Sequence, residues 1–152
     1  MPTSALTIRE ATAADVDALY ALIVAIAEHH GQLAFVHTTV ATLRRDGFGP
    51  NPKFGAIVAE SGGKLVGYVS YSWNYSIWLT STYMHIDDVF VLESHRGQGI
   101  GEALMLKASQ VCKSRGAHRI RWEVETDNAT AIRFYERLGA KLRIKGIFGW
   151  DV

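Results

Sequence analysis

"VFVLESHRGQGIGEALM" (residues 89–105) sets an apolar run, a loop with three glycines and an amphipathic segment side by side. Residues 82–92 hold the apolar run "YMHIDDVFVL", which reads as a strand. Over 99–115, Ile100, Leu104, Ala108 and Val111 fall on one helical face, and Gly116 suits the C-terminal cap. A strand that feeds a helix through "HRGQGIG" leaves several backbone N–H groups at the helix start without intrahelical partners. Such groups favour an anion. Gly97, Gly99 and Gly101 allow close approach and unusual backbone angles, and Arg96 can add charge-assisted bonds. A phosphate or pyrophosphate fits this pattern. The dinucleotide fingerprint belongs at a first strand–turn–helix, whereas this loop lies past mid-chain. The Gly-Lys-Ser/Thr ending of a Walker loop is missing. Spacing alone also admits a tight turn with a crowded helix start.

Outward from the loop, "RIRWEV" (119–124) alternates as a strand. Asp127 or Asn128 caps a helix that runs through Leu138 and ends at Gly139, and two short strands close the chain. Upstream, "LTIR" (6–9) is a first strand. Thr12 and Asp15 resemble a capping box for an amphipathic helix over 13–29, broken by "HHGQ". A shorter helix spans 38–46, and "DGFGPNP" after it is a loop. Residues 54–60 and 64–73 are strands joined by the hairpin turn "SGG" (61–63). The order predicts an α/β fold in one domain, 1–152, with 82–92 and 119–124 as neighbouring central strands.

Composition narrows the function. A length of 152 residues, 48% hydrophobic, suits one domain with a real core. The formal net charge of +1 gives no charge-based argument for nucleic acid. Cys112, the one cysteine, permits no intrachain disulfide and fits a reducing, cytoplasmic setting. No run approaches about 18 apolar residues, so no membrane span is expected. "MPTSALTIRE" does not read as a secretory signal.

The glycine loop, Arg96-x-x-Gly99-x-Gly101 after a strand, resembles the cofactor motif of the GNAT superfamily of N-acetyltransferases. "NATAIRFYERLGA" (128–140) resembles that family's motif after the next strand. "IREATAADVDAL", "DGFG" (46–49), "YSWNYSIW" (71–78) and "IDDVFV" (86–91) are similar to the diamine (spermidine/spermine) and thialysine acetyltransferase branch. The resemblance covers essentially the whole chain. It implies a mixed, mostly antiparallel sheet flanked by helices, with a splayed central strand pair. It implies acetyl-CoA as cosubstrate, held by Val89, Phe90, Val91, Arg96, Gly97, Gln98, Gly99, Ile100 and Gly101, with Asn128 and Tyr135. It also implies a homodimer and a small-molecule amine acceptor, with no nucleic-acid or membrane partner.

Acetyl transfer to an amine needs a neutral lone pair and a proton for the departing thiolate. Alkyl amines are protonated at neutral pH, so carboxylates near the amine bind the cation and draw off its proton. Asp87 matches a family glutamate implicated in amine handling; its shorter side chain favours action through water. Asp88 matches the branch's aspartate. Neighbours on a strand face opposite sides, so the two form no simple pair unless a bulge intervenes. The alternative is that both pair with basic neighbours. Tyr135 matches the family tyrosine near the CoA sulfur, and a phenol can protonate a thiolate; packing is its other reading. Phe134 belongs to the apolar helix face. Asn128 reads equally as a cofactor contact and as a helix cap.

Tyr71, Trp73, Tyr75 and Trp78 read either as a half-buried sheet face or as a slot for amines. The branch carries an acidic residue near Trp78 where this chain reads "SIW" (76–78), and Glu28 is the candidate substitute charge. His29, His30, His37, His85, His95 and His118 form no zinc spacing and read as surface or supporting residues, so no metal is expected. Cys112 reads as a small core residue, which favours direct transfer without an acyl-enzyme. Two alternatives remain beside the small-amine enzyme. One is acetylation of an amino acid or a lysine-like analogue; the other is a catalytically weak acyl-CoA-binding regulatory module.

Overall fold

A computed structural model describes residues 5–152, so the reading of the N-terminal stretch rests partly on residues outside it. Two compact units divide the chain, Met1–Trp122 and Glu123–Val152. In the first unit five strands, β1 (Leu6–Glu10), β2 (Gly55–Ser61), β3 (Lys64–Ser76), β4 (Ser81–Val91) and β5 (Ile120–Arg121), form one sheet in sequence order. β1 to β4 are antiparallel, and β5 joins β4 in parallel. The helices are α1 (Val16–His29), α2 (Val40–Phe48) and α3 (Ile100–Ser114); α4 (Ala129–Arg137) lies in the second unit. The α/β mixed sheet with its flanking helices is the architecture expected.

Strand parity explains the two cores. Tyr68 pairs with Phe90 and Val58 with Tyr68, so the three share a face, and Leu19 and Leu22 of α1 close over them. The other face buries Ile57, Val69, Met84 and Ile86. α3 lies close on that side. A Cβ added at Gly67 would come within 3.3 Å of Leu104 Cδ1 and 2.8 Å of the Phe90 carbonyl oxygen. The interior therefore requires glycine there.

Asp15, buried at the start of α1, accepts two hydrogen bonds from Arg9 of β1, at 2.7 and 2.9 Å. It also accepts one from the Thr12 backbone N–H at 2.7 Å. The Arg9 hydrogen bonds hold its carboxyl below the ordinary value, with burial opposing them. A lowered folded-state value contributes stability that is present above the unfolded value and lost as pH falls through the folded one. We expect Asp15→Asn to cost about 1.5–3 kcal/mol at pH 7. The loss should shrink as pH falls below about 3.8. Chemical denaturation between pH 2 and pH 7 measures it, and a pH-independent difference would refute the linkage.

Four expectations are corrected. Helix α2 continues through Gly47 to Phe48 instead of ending at residue 46. A side chain at Gly47 would run into the Phe54 ring, so this glycine serves close packing and not a helix stop. β5 is two residues long instead of six, because it pairs only where β4 lies beside it. Residues 140–152 form no closing strands. Tyr75, Ser76 and Asn74 extend β3 beyond residue 73 through pairing with β4.

Candidate functional site

β4 places the loop and the carboxylates on one strand. β5 touches it at two rungs, Met84 with Ile120 and His85 with Arg121. β5 is the edge strand of the sheet, so the expectation of two neighbouring central strands is corrected: only β4 is central. From β4 the chain makes one short turn (Glu93–His95), passes Arg96 and enters α3 at Ile100. Gly97 and Gly99 have φ of +75° and +78°, and a Cβ at either would meet no protein atom within 4 Å. Both therefore hold the left-handed conformation that side chains disfavour, and the loop surface above them is clear for a ligand. The first N–H groups of α3 face this loop without intrahelical acceptors. The residues present fit a pyrophosphate.

Side-chain roles differ within the loop. Arg96 Nε donates to the Val91 carbonyl at 2.9 Å and its guanidinium lies 5.6 Å from the Phe90 ring centre, which ties the loop to the strand end. Phe90 and Ile100 are buried in the core, so they can meet a cofactor only through backbone. Val89 and Val91 pair with Val69 and Gly67, and Gln98 and Gly101 lie in the loop and first turn.

The bulge that would bring the two aspartates together is present. Ser70 pairs with Asp88 and Tyr71 with Ile86, which leaves Asp87 without an opposite residue. Asp88 faces α1 with Tyr68, whose hydroxyl donates to its Oδ2 at 3.1 Å. Burial raises the Asp88 carboxyl; the Tyr68 hydrogen bond opposes this, the Asp87 charge adds to it, and His30 opposes it again. Burial also pushes the Tyr68 phenol up, so it stays a donor. Asp87 is half exposed, with Oδ1 3.3 Å from His85 Nδ1. A raised carboxyl is a penalty on the ionised folded state that grows as pH rises from the unfolded value through the folded one. Asp88→Asn should therefore raise the melting temperature at pH 7, with the gain vanishing below about pH 3.8. Calorimetry at both pH values tests this; a loss of stability at pH 7 would contradict it.

Other expected site residues lie elsewhere. Glu28 is exposed near the end of α1. Trp78 is 94% exposed in the turn after Ser76, six residues of strand from Asp87, or roughly 20 Å. Tyr71 and Trp73 are sheet-face residues: Tyr71 is buried, their rings meet edge to face, and the Arg115 guanidinium covers Trp73 at 5.3 Å. In the second unit, Asn128 Oδ1 accepts the Ala131 N–H at 3.1 Å, so the capping reading holds. Tyr135 is half-buried beside Phe134, and burial raises its phenol, which stays protonated at neutral pH. Among the described residues no group of three or more His, Cys, Asp or Glu could hold a metal, and no helix is long and apolar enough to cross a membrane. The sequence reading missed His85 as a partner of Asp87. Its signal was the spacing of two, which puts both on one strand face.

Comparison with known proteins agrees with this geometry. The chain is 34% identical over 142 residues to the thialysine N-epsilon-acetyltransferase of Mus musculus, covering 88% of this chain and 83% of that one. It is 31% identical over 152 residues to the human spermidine/spermine N(1)-acetyltransferase-like protein 1, covering 95% of this chain and 22% of that protein. An aminoglycoside acetyltransferase from an uncultured soil metagenomic sample shares the fold, with a TM-score of 0.82 at 18% identity over 97% of this chain and 95% of that one. The acetyltransferase (GNAT) family model matches residues 19–140, from α1 through the glycine loop to the end of α4. By that match the chain belongs to the GNAT acetyltransferases, and it is an acetyl-CoA-dependent enzyme.

Proposed function

We propose that this enzyme acetylates a primary amine on a small molecule such as a diamine or polyamine, by direct transfer without an acyl-enzyme. The observation that carries the reading is the bulge at Asp87. It places two successive carboxylates on β4, past the two rungs where β5 pairs and upstream of the loop that fits a pyrophosphate. A pair of acidic side chains attracts an ammonium group, and Asp87, the more exposed, handles its proton. The loop from Arg96 to Gly101 holds acetyl-CoA through backbone N–H groups, with Val89, Phe90 and Val91 offering strand backbone. Tyr135 supplies the proton that the departing thiolate needs, and Asn128 orders the start of its helix. Bound acetyl-CoA supplies the activated acyl group. Glu28, exposed near the end of α1, is the outlying charge for a longer amine.

The thialysine acetyltransferase relatives support a second acceptor, the side-chain amine of an amino acid. Thiol release with acetyl-CoA across diamines, polyamines, thialysine, lysine and aminoglycosides decides between them. Turnover confined to amino acids would refute the diamine reading. Acetyl-CoA binding with no turnover on any amine would favour a regulatory module. The proposal includes a cytoplasmic location and a single functional domain.

It also includes a homodimer. Tyr75, Ile77, Trp78 and Leu79 are exposed together at the β3–β4 tip, an apolar surface suited to a second copy. Light scattering at micromolar concentration is expected to give twice the monomer mass, and a monomer would count against the diamine branch.

A further inference from the structure

His85 and Asp87 stand two apart on β4, on either side of the core residue Ile86. His85 pairs with Ser72 and Asp88 with Ser70, so His85 and Asp88 face the same side of the sheet, toward α1. The bulge frees Asp87 from the ladder, and its Oδ1 lies 3.3 Å from His85 Nδ1. A carboxylate facing Nδ1 favours the tautomer with the proton on that nitrogen, which leaves the lone pair on Nε2. The contact is longer than a usual charge-assisted hydrogen bond, and such contacts tighten when substrate binds. An aspartate side chain is short, and an imidazole set against it extends the reach of the site.

We propose that Asp87 handles the amine's proton through its partner: His85 Nε2 accepts it, and Asp87 is the positioning residue that fixes the ring and offsets its charge. This rests on the acetyltransferase reading of the same site. One ammonium N–H bond breaks, an Nε2–H bond forms, and the amine keeps the electron pair it needs. The imidazolium then gives its proton to solvent, which reaches a side chain that is 29% exposed. The surrounding charges bear on this step. Asp87 and Asp88 are the negative groups on its strand. Arg121 of β5, the register partner of His85, is the positive one, and its guanidinium lies over the Tyr83 ring at 5.7 Å. Ser72 on β3 is uncharged, and His30 at the end of α1 acts on Asp88.

The test is the pH profile of single-turnover acetylation with whichever panel amine is turned over fastest. His85→Gln is expected to lower the rate by about 10²–10³-fold and to remove the acidic limb. Added imidazole should restore the His85→Ala enzyme by about tenfold or more, a rescue that a structural histidine would not show. Asp87→Asn should move the acidic limb to lower pH, because the imidazolium loses its nearest negative charge. Nitrogen-15 spectra of the resting wild-type enzyme should show His85 protonated on Nδ1, and Asp87→Asn should shift it toward Nε2–H. A His85→Gln enzyme within about threefold of wild type, with its acidic limb intact, overturns the proposal and returns the proton to Asp87. If that variant does not fold, an Nε2–H tautomer in the wild-type spectrum overturns it instead. Failure of the acetyltransferase reading looks different: the folded wild-type enzyme would release no thiol with any amine, and both proposals would fall.

Discussion

Replacing Tyr135 with phenylalanine is expected to slow single-turnover acetyl transfer by about 10²–10⁴-fold, the usual range for a positioned acid. Acetyl-CoA affinity should hardly change, because the glycine loop is untouched. The phenol is suited to the role by its protonation: burial keeps its proton in place at neutral pH, ready for a thiolate. Phenylalanine keeps the ring and its contact with Phe134 but removes the hydroxyl. An interaction made only in the transition state lowers turnover without a matching rise in the Michaelis constant. A tyrosine that only packs would give a lower melting temperature with near-normal chemistry in the folded fraction. That result would remove Tyr135 from the mechanism.

Gly99→Val is expected to weaken acetyl-CoA binding at least tenfold, or about 1.4 kcal/mol. The fold itself leaves room for the side chain, since no protein atom lies within 4 Å of the added Cβ. Two other effects act. A branched residue resists a φ of +78°, which would turn the loop N–H groups away from the anion. Its methyl groups would also stand where the ligand approaches. Gly116→Val is the control: its φ is +75° with equally open surroundings, but it follows the far end of α3. It should lose comparable stability and keep its affinity. Calorimetric titration of both folded variants with acetyl-CoA gives the comparison. Unchanged affinity in Gly99→Val would rule out this loop as the pyrophosphate site.

The glycine loop was legible because it depends on a local pattern: a strand, three glycines and a helix with one apolar face. The β2–β3 hairpin was legible for the same reason, since "SGG" carries its turn chemistry in three residues. The bulge was not legible. Alternation along β4 is nearly the same with or without an extra residue, and only the pairing with β3 shows that Asp87 is skipped. The His85 contact shows in the sequence only as a spacing of two from Asp87, which every alternating run carries. "RIRWEV" read as six strand residues because alternation measures amphipathicity, whereas a strand also needs a neighbour, and β4 offers one for two residues only. Gly47 misled in the opposite direction. Its glycine signal reads as a helix end, but the cause is the Phe54 ring against the helix.

The order of strands bears on time as well as on shape. β2, β3 and β4 are joined by tight turns, so their pairing closes short loops. β5 can join only after the chain has crossed back over α3, and it brings two residue pairs to repay that closure. During folding the meander that carries His85, Asp87 and Asp88 has the least entropy to surrender and is expected to assemble first. The parallel pair is expected to form last. The strands that carry the two aspartates are thus the oldest part of this sheet within each folding event, and the parallel rung after α3 is its youngest.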